Sequence, residues 1–415
     1  MSARAPGDSM KPHITIIHRW RERYAEYAEY LDHSTHNVTY ITTDVGVQGV
    51  PEDAAATALV VNTDDLDEVR AKVVELAARF GQPAGIVALK EDDLEVGAAL
   101  REEFGCPGPR VSAFVPFRDK LVMCGVIRDA GLPLPAFGPA GTAAEVREFA
   151  GEHGWPVIVK PRSESSSAGV VIVRDAEHLA TLELDDSRMV QKFVDHTVFH
   201  VDGYFDGVSV RRWSSSEYLN TCLSFRGGGV LGSVEDDDPE RLKAVGNATA
   251  QFISALTDEP TAFHLEVFVA PAADGGFEVQ FLEVGARVGG AEIPFLWREV
   301  HGYDLMRAAF ELQLGLVPQV ADPLEDKDLA GWMLVAAPAK RPCLITESTP
   351  MLGLTPGPYA ERVLEVGEIL PNAAAFYEHV GGRFRFRGST SAEIIEAIEN
   401  TARNFRVSAT PIEPD

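Results

Sequence analysis

The stretch FHLEVFVAPAADGGFEVQFLEVGARVGG, residues 263–290, carries a glutamate in each of two apolar runs and an arginine shortly after the second. Asp274-Gly275 is a hairpin turn signal, and the flanking runs alternate large apolar residues with others, as a half-buried antiparallel pair does. With the turn centred on that pair, Glu266 falls opposite Glu283. Phe277, Val279, Phe281 and Glu283 would then share a face, so a carboxylate stands where the pattern asks for another core residue. Like charges directly opposite one another destabilise a sheet, and a half-buried carboxylate costs more unless it is paired or bound to a metal. A hard cation such as Mg2+, which takes one or two carboxylates together with phosphate oxygens, removes both problems. The competing reading is a bulge that shifts the register and lets both side chains reach water, since a slip of one residue reverses the facing.

A chain of 415 residues implies two or three units of about 100–200 residues each, and 45% hydrophobic residues can fill their cores. A net charge of -26 argues against a nucleic-acid partner or an anionic membrane surface. Cys106, Cys124, Cys222 and Cys343 are scattered with no C-x-x-C, which indicates neither a disulfide framework nor a zinc site. The opening MSARAPGDSMKP lacks an apolar signal core, and no apolar run approaches 18 residues. A cytoplasmic protein is expected, with a homodimer open to it.

Up to about residue 110, strand signals at Ile14–Ile17, Val38–Ile41, Leu59–Val61 and Ile86–Leu89 alternate with helical spacing over 63–80 and 91–104, a parallel α/β layer. No G-x-G-x-x-G follows the first strand. The string GGGVLG at 227–232 runs into SVEDDDPE, whose acids would repel a pyrophosphate, so it reads as a flexible loop, with Asp238-Pro239 capping the next helix.

Farther along, WPVIVKPRSESSSAGVVIV, residues 155–173, brackets a loop of small hydroxylated residues with two β-rich runs, and Lys160 ends the first. Such a loop can grip phosphate oxygens through backbone N–H groups, hydroxyls and the lysine, or it is a plain serine-rich hairpin. No Walker-type glycine loop is present. The segment MVQKFVDHTVFHVDGYFDG, 189–207, adds a strand, a turn and a second strand, where an extended backbone could read an adenine edge.

Lys120 in FRDKLVMCGVIRDAGLPLP, Lys160 in VIVKP, the 163–169 loop, VQKFV and LEVGARVGG stand in an order and spacing that resembles the ATP-grasp carboxylate-amine ligases over roughly residues 10–310. The downstream MLVAAPAKRPCLITE and GRFRFRGSTSAEIIEAIENTARNF resemble, more loosely, the C-terminal lobe of the L-amino acid ligase branch. The resemblance implies an α/β ATP-grasp fold: an N-terminal parallel α/β domain (1–110), an ATP-grasp domain (111–320) with a mobile lid at about 138–195, and an α+β C-terminal lobe (321–415).

The resemblance also implies roles. Lys120 and Lys160 would contact ATP phosphates while Ser165, Ser166, Ser167 and Gly169 close over them. Gln191, Lys192, Phe193 and Val194 would face the adenine. Glu266 and Glu283 would hold one or two Mg2+ ions, with Mn2+ as a substitute. Arg287 would stabilise the transferred phosphoryl group and the acyl phosphate, with Gly289 and Gly290 near the substrate carboxylate. The implied reaction joins a small carboxylate to an amine, amino acids foremost, and releases ADP and phosphate. Two lysines, a metal and an arginine are the cations that phosphoryl transfer requires around its spread charge. Taken singly, Lys120 reads as a surface cation and Arg287 as a salt-bridge partner of Glu283.

Three positions depart from the family pattern. Gly285 replaces an asparagine two residues after the metal glutamate, leaving a second ion in doubt. Val198 stands where a glutamate meets the ribose, and His200 is either its substitute or a core histidine. Glu164 brings negative charge into the phosphate loop. In the C-terminal segment, RFRFR (383–387) offers one packing face and one cationic face for solvent, neighbouring acids or an acidic substrate. Thr390 and Glu393 form a capping box for a helix burying Ile394, Ile395, Ile398 and Phe405. Rival functions are an ATP-grasp carboxylase, a carrier-loading ligase and a non-catalytic nucleotide sensor.

Overall fold

The computed structural model describes residues 11–165, 167–220, 225, 229–273, 275–319, 328–338, 340–372 and 380–412. The chain divides into two compact units, Met1–Phe114 with Asp304–Val320, and Val115–Tyr303 with Ala321–Asp415. Among the described residues, no helix is long and apolar enough to cross a membrane.

The first unit is built on a parallel sheet of β1 (His13–His18), β2 (Asn37–Thr42), β3 (Ala56–Leu59) and β4 (Pro83–Ala88), in the order β3-β2-β1-β4. The expected strands thus form, β3 somewhat earlier than its apolar run suggested. Helix Leu66–Phe80 starts at Asp65, whose carboxylate accepts the N–H groups of Asp67 and Glu68, and it buries Val69, Val73 and Leu76 with Ile17, Ile41 and Ile86. Arg101 is fully buried, yet it donates to the carbonyls of Ile86 and Pro109 and to Gln313 of the returning helix Leu305–Gln313. A buried guanidinium is tolerated because those acceptors replace water.

The second unit holds all the candidate site residues. Its first sheet comprises β5 (Phe137–Pro139), β6 (Val157–Pro161), β7 (Val171–Val173) and β8 (Arg188–Lys192), antiparallel in the order β5-β8-β6-β7. Helix Ala143–His153, opened by a Thr142/Glu145 capping box, lays Val146 and Ala150 on Val157, Val159 and Val190.

The large sheet runs β13-β12-β9-β10-β11-β14-β18-β16. Its strands are β9 (Thr197–Phe205), β10 (Val210–Tyr218), β11 (Val230–Glu235), β12 (Thr261–Pro271), β13 (Phe277–Gly285), β14 (Leu329–Ala336), β16 (Ala360–Val363) and β18 (Val380–Gly388). A small sheet of β15 (Cys343–Ser348), β17 (Ile369–Leu370) and β19 (Val407–Pro411) stands beside it in the chain. One face of β9, β12 and β13 supplies Phe199, Val201, Phe263, Leu265, Val267, Val279 and Phe281 to a core closed by helices Lys120–Asp129 and Pro239–Leu256. The opposite face is left for polar residues.

Three sequence expectations need correction. The second half of GGGVLG is not a loop: Val230–Glu235 is a buried strand laddered to both β10 and β14, which satisfies its backbone groups on both sides; Gly227 and Gly228 lie outside the described residues, as does Asp274 of the hairpin turn. The acids that follow are each committed, Asp236 to Arg241, Asp237 to Ser391 and Asp238 to the N-terminus of helix Pro239–Leu256. The Thr390 capping box is half formed: Thr390 accepts from the Glu393 N–H, but Glu393 turns to the N–H of Ser389.

The third concerns the facing of Glu283. The pairs nearest the turn, from Pro271↔Phe277 to Val267↔Phe281, extrapolate to Glu266 opposite Leu282. A bulge at that point inserts one residue on β13 and brings Glu283 opposite Glu266. Val284, not Glu283, therefore continues the core face of Val279 and Phe281.

Candidate functional site

The paired glutamates sit on the polar face of the sheet, with His200 of β9 on the other side of Glu266. Glu283 has two lysine neighbours: its Oε2 is 3.6 Å from Lys120 Nζ and 3.9 Å from Lys160 Nζ. Lys160 ends β6 and is almost fully buried, and that burial lowers its pKa against the opposing pull of Glu283. Lys120 opens helix Lys120–Asp129, whose N-cap Asp119 accepts two backbone N–H groups and also takes Arg162. The Lys120 N–H binds the Arg162 carbonyl and its ammonium binds the Glu164 carbonyl at 2.5 Å, so one helix terminus is tied to both ends of the Arg162–Glu164 turn. Cys124, one turn on, is buried and its thiol is pushed up to about 11 by that burial.

In the glycine-serine loop, Ser167 and Gly169 both adopt left-handed backbone conformations, φ 55° and 67°. At Gly169 a side chain would also strike Pro161, its Cβ lying 2.8 Å from Cγ. Glu164 is exposed and contributes its carbonyl to Lys120. Ser166 lies outside the described residues. Gln191 is buried between Phe137 and Ile158 in the ladder, and its Nε2 has no partner among the described residues, an unused donor on the segment expected to face adenine. The Lys192 N–H is spent on the Ala136 carbonyl, and Phe193 and Val194 are half-buried.

Sequence reasoning missed Asp202 and His264. Asp202 pairs with His264 across β9 and β12, as His200 pairs with Glu266. His200 donates or accepts through both ring nitrogens, 2.6 Å from Asp202 and 2.6 Å from Ser233 Oγ. It belongs to this network, as the core-histidine alternative describes, since both nitrogens are engaged and the ring is buried. His264 Nδ1 lies 2.9 Å from Asp202 Oδ1 and its Nε2 lies 3.7 Å from Glu266 Oε1. Burial pushes His264 down, but the Asp202 carboxylate outweighs it and raises the imidazole to about 9. Burial likewise raises Asp202 and Glu266, and in both the neighbouring histidines reverse the shift and hold the carboxyl below its usual range, helped at Glu266 by Tyr218. The missed signal was the alternation itself: FHLEV and FHVDG each place a histidine and an acid two apart, on one face of a strand.

Arg287 donates to the Val288 carbonyl and lies near enough to His264 to oppose its protonation. The Gly289 N–H donates to Asp202 Oδ1 at 3.1 Å, whereas a Cβ on Gly290 would meet open space. Of the two glycines, Gly290 is therefore the one with open space beside it. Glu292, just beyond, is held by Arg383 at 3.0 Å and Arg385 at 3.6 Å, so the cationic face of RFRFR answers acids on helix Ile293–Glu299.

The facing carboxylates fit a hard divalent cation. Tyr218 and His264 approach the same oxygen of Glu266, Oε1, and Oε2 makes no hydrogen bond among the described residues. Oxygen donors of this kind suit Mg2+ or Mn2+. The position of the missing asparagine, Gly285, pairs with His264.

No family model matches the chain. It is 23% identical over 283 residues to the L-arginine-specific L-amino acid ligase of Bacillus subtilis, covering 64% of this chain and, at 66%, just under two thirds of that protein's length. The fold matches that of an L-amino acid ligase from Bacillus licheniformis with a TM-score of 0.72 over 98% of this chain and 100% of that one, at 19% identity. It also matches the biotin carboxylase domain of Hydrogenobacter thermophilus 2-oxoglutarate carboxylase, solved with MgADP and bicarbonate, with a TM-score of 0.69, 15% identity, and coverage of 97% and 92%. The chain has the ATP-grasp fold, and in sequence it is similar to an L-amino acid ligase.

Proposed function

We propose that the protein is an ADP-forming ligase that joins an amino acid or related carboxylate to an amine through an acyl phosphate. One observation carries the reading: a pair of facing carboxylates with two lysine ammonium groups within 4 Å of one of them, a constellation suited to a polyphosphate and its cation. Lys160, from the lid, and Lys120, from the helix N-terminus, would hold phosphate oxygens of ATP, and Ser165, Ser167 and Gly169 would close over them. Gln191 would offer its unused amide donor to the adenine. Glu266 and Glu283 would hold Mg2+, which when bound neutralises charge on the phosphates.

The chemistry then runs in two steps. A carboxylate oxygen of the donor attacks the γ-phosphorus, the bond to the β-bridging oxygen breaks, and ADP leaves. The amine attacks the acyl carbon, gives up a proton, and phosphate departs with the oxygen it took from the donor. Arg287 would face the charge that develops in both steps, and the Gly290 N–H would orient the carboxylate.

Screening pairs of amino acids for release of ADP and phosphate tests the reading, with 18O in the donor carboxylate. Label is expected in phosphate. AMP and pyrophosphate, or unlabelled phosphate, overturn the mechanism, and ATP binding without turnover across the screen would mark a sensor.

A further inference from the structure

Asp202 is a buried carboxylate that does not touch the glutamate pair, yet it receives three donors. Its Oδ1 accepts from the Gly289 N–H at 3.1 Å and stands 2.9 Å from His264 Nδ1, and its Oδ2 stands 2.6 Å from His200 Nδ1. Packing around Gly289 leaves no slack: a Cβ there would lie 2.3 Å from Asp202 Oδ1, 2.6 Å from Ile293 Cδ1 and 2.9 Å from His264 Nδ1. His264 is the bridge, because one ring nitrogen faces Asp202 and the other faces Glu266. All of this is set by the β9–β12 register, which pairs His264 with Asp202 and Glu266 with His200.

We propose that Asp202 and His264 are positioning residues that link Glu266 to the backbone of Gly289, so that the cation end of the site and the substrate loop 287–290 are set together. The linkage rests on the reading of Glu266 as a cation ligand; the half between Asp202 and Gly289 does not. Drawing Oε1 of Glu266 toward or away from His264 shifts the ring, and the ring and Gly289 share one oxygen of Asp202. A contiguous buried chain, hydrogen-bonded from Gly289 through Asp202 to His264 and closed by the 3.7 Å ion pair of His264 with Glu266, is stiff enough to carry such a shift, since each member is costly to leave unpaired. Apolar residues of similar size would hold the strands as well, so a purely structural role gives no reason for this much buried charge.

Two imidazoles and a carboxylate within 4.8 Å of one another could also form a metal centre. The separations of 2.6 and 2.9 Å speak for hydrogen bonds instead, because ligand atoms about 2.0–2.1 Å from a tetrahedral zinc lie about 3.3 Å apart.

The two halves of His264 can be separated by substitution. His264→Asn keeps an amide donor where Nδ1 faces Asp202 but cannot reach Glu266, whereas Asp202→Ala removes the acceptor of the Gly289 N–H. Hydrogen exchange of peptides covering 285–291 is read with and without Mg2+ and a non-hydrolysable ATP analogue, alongside calorimetric titration of that analogue. In the wild-type protein the nucleotide complex is expected to slow exchange at Gly289 by about tenfold. His264→Asn should bind the analogue and keep the ligand-free protection, yet lose the nucleotide-linked increase. Asp202→Ala should speed ligand-free exchange at Gly289 by about tenfold or more.

A His264→Asn protein that transmits the full increase overturns the proposal, as does an Asp202→Ala protein with unchanged exchange at Gly289. One equivalent of zinc or another transition metal in the purified wild type, lost in Asp202→Ala, overturns the hydrogen-bonded reading in favour of a metal centre. A flat titration of the wild type removes the cation site and the linkage with it, and is told apart by ligand-free exchange, which still reports on Asp202. If Asp202→Ala does not fold, His264→Asn decides alone.

Discussion

Glu283 faces Glu266 because of one extra residue, the bulge at Leu282, without which Leu282 itself would occupy that place. Deleting Leu282 removes the inserted residue, so the turn-proximal register runs straight through and still places Glu283 opposite Glu266 on the polar face. Turnover is therefore expected to persist in the deletion variant, with a stability change of about 1 kcal/mol or less. Steady-state kinetics with thermal melting checks both, and a folded but inactive variant would show that the bulge itself, and not the facing alone, is required.

Glu283→Gln keeps the shape and removes the charge. Turnover should fall by about two to three powers of ten, as for loss of an electrostatic element of a phosphoryl-transfer site. Relief of repulsion with Glu266 favours the folded state, but two lysines lose their counter-charge, one of them almost fully buried. The lysines should win, with a net cost of about 1–2 kcal/mol after allowing for the partial exposure of Glu283. Chemical denaturation measures it; a rise in the midpoint would mean that the carboxylates, not the lysines, dominate the free protein.

Arg287→Ala is expected to lower kcat by about 10^2–10^3 while leaving affinity for the ATP analogue near the wild-type value. Arg287→Lys should recover little, since a point charge does not reproduce a planar fork spanning two oxygens. Equal losses in kcat and in nucleotide binding would instead assign Arg287 to the ground state.

Asp119, bound to Arg162 and to the N–H groups of its own helix, provides a pH test. Burial raises its pKa, but Arg162 and the helix N–H groups more than compensate, so the folded value is depressed below 3.8. A depressed carboxyl contributes stability that is present above the unfolded value and is lost as pH falls through the folded one. The stability difference between wild type and Asp119→Asn should therefore be constant near neutrality and shrink below about pH 3.8. Urea midpoints of both proteins across that range give the comparison, and a difference that grows on acidification would reverse the assignment.

Exchange across residues 163–170 should slow on adding Mg2+ and the ATP analogue, as expected of a loop that closes over phosphate in the proposed function. Unchanged exchange in a protein that binds the analogue would leave the loop outside the site.

How much of this was legible beforehand follows from what each signal measures. Alternation and turn residues report on faces and neighbours, so the strands of the first unit, the Lys160 hairpin and the pairing of Glu266 with Glu283 could be read. That last pairing was reached through a turn centre that the ladder near Phe277 does not follow; the bulge offset the difference. A bulge has no apolar signature, which is why Glu283 was assigned to the face of Phe281. Asp202 and His264 escaped notice because their partners are a strand away and a loop away, and the histidine–acid alternation that places them on one face is a weak signal until the two strands are known to be neighbours. Val230–Glu235 read as a loop because glycines and acids surround it, although Gly331 in its neighbour β14 leaves room for Ile394 that a side chain would take, a Cβ there lying 2.4 Å from Ile394 Cγ2.

The order of strands has a consequence for synthesis. β14 lies between β11 and β18, and β18 ends at Gly388, more than fifty residues after β14 begins. While the ribosome is still translating residues 337–388, β14 has its β11 partner but offers the backbone of Trp332–Val335 along a bare edge, in a segment rich in apolar side chains. An unpaired apolar edge is a template for another chain. Nascent protein is thus more exposed to misassociation in that interval, and slowing elongation or depleting a chaperone while residues 337–388 emerge should cost more yield than the same disturbance before β14 is made.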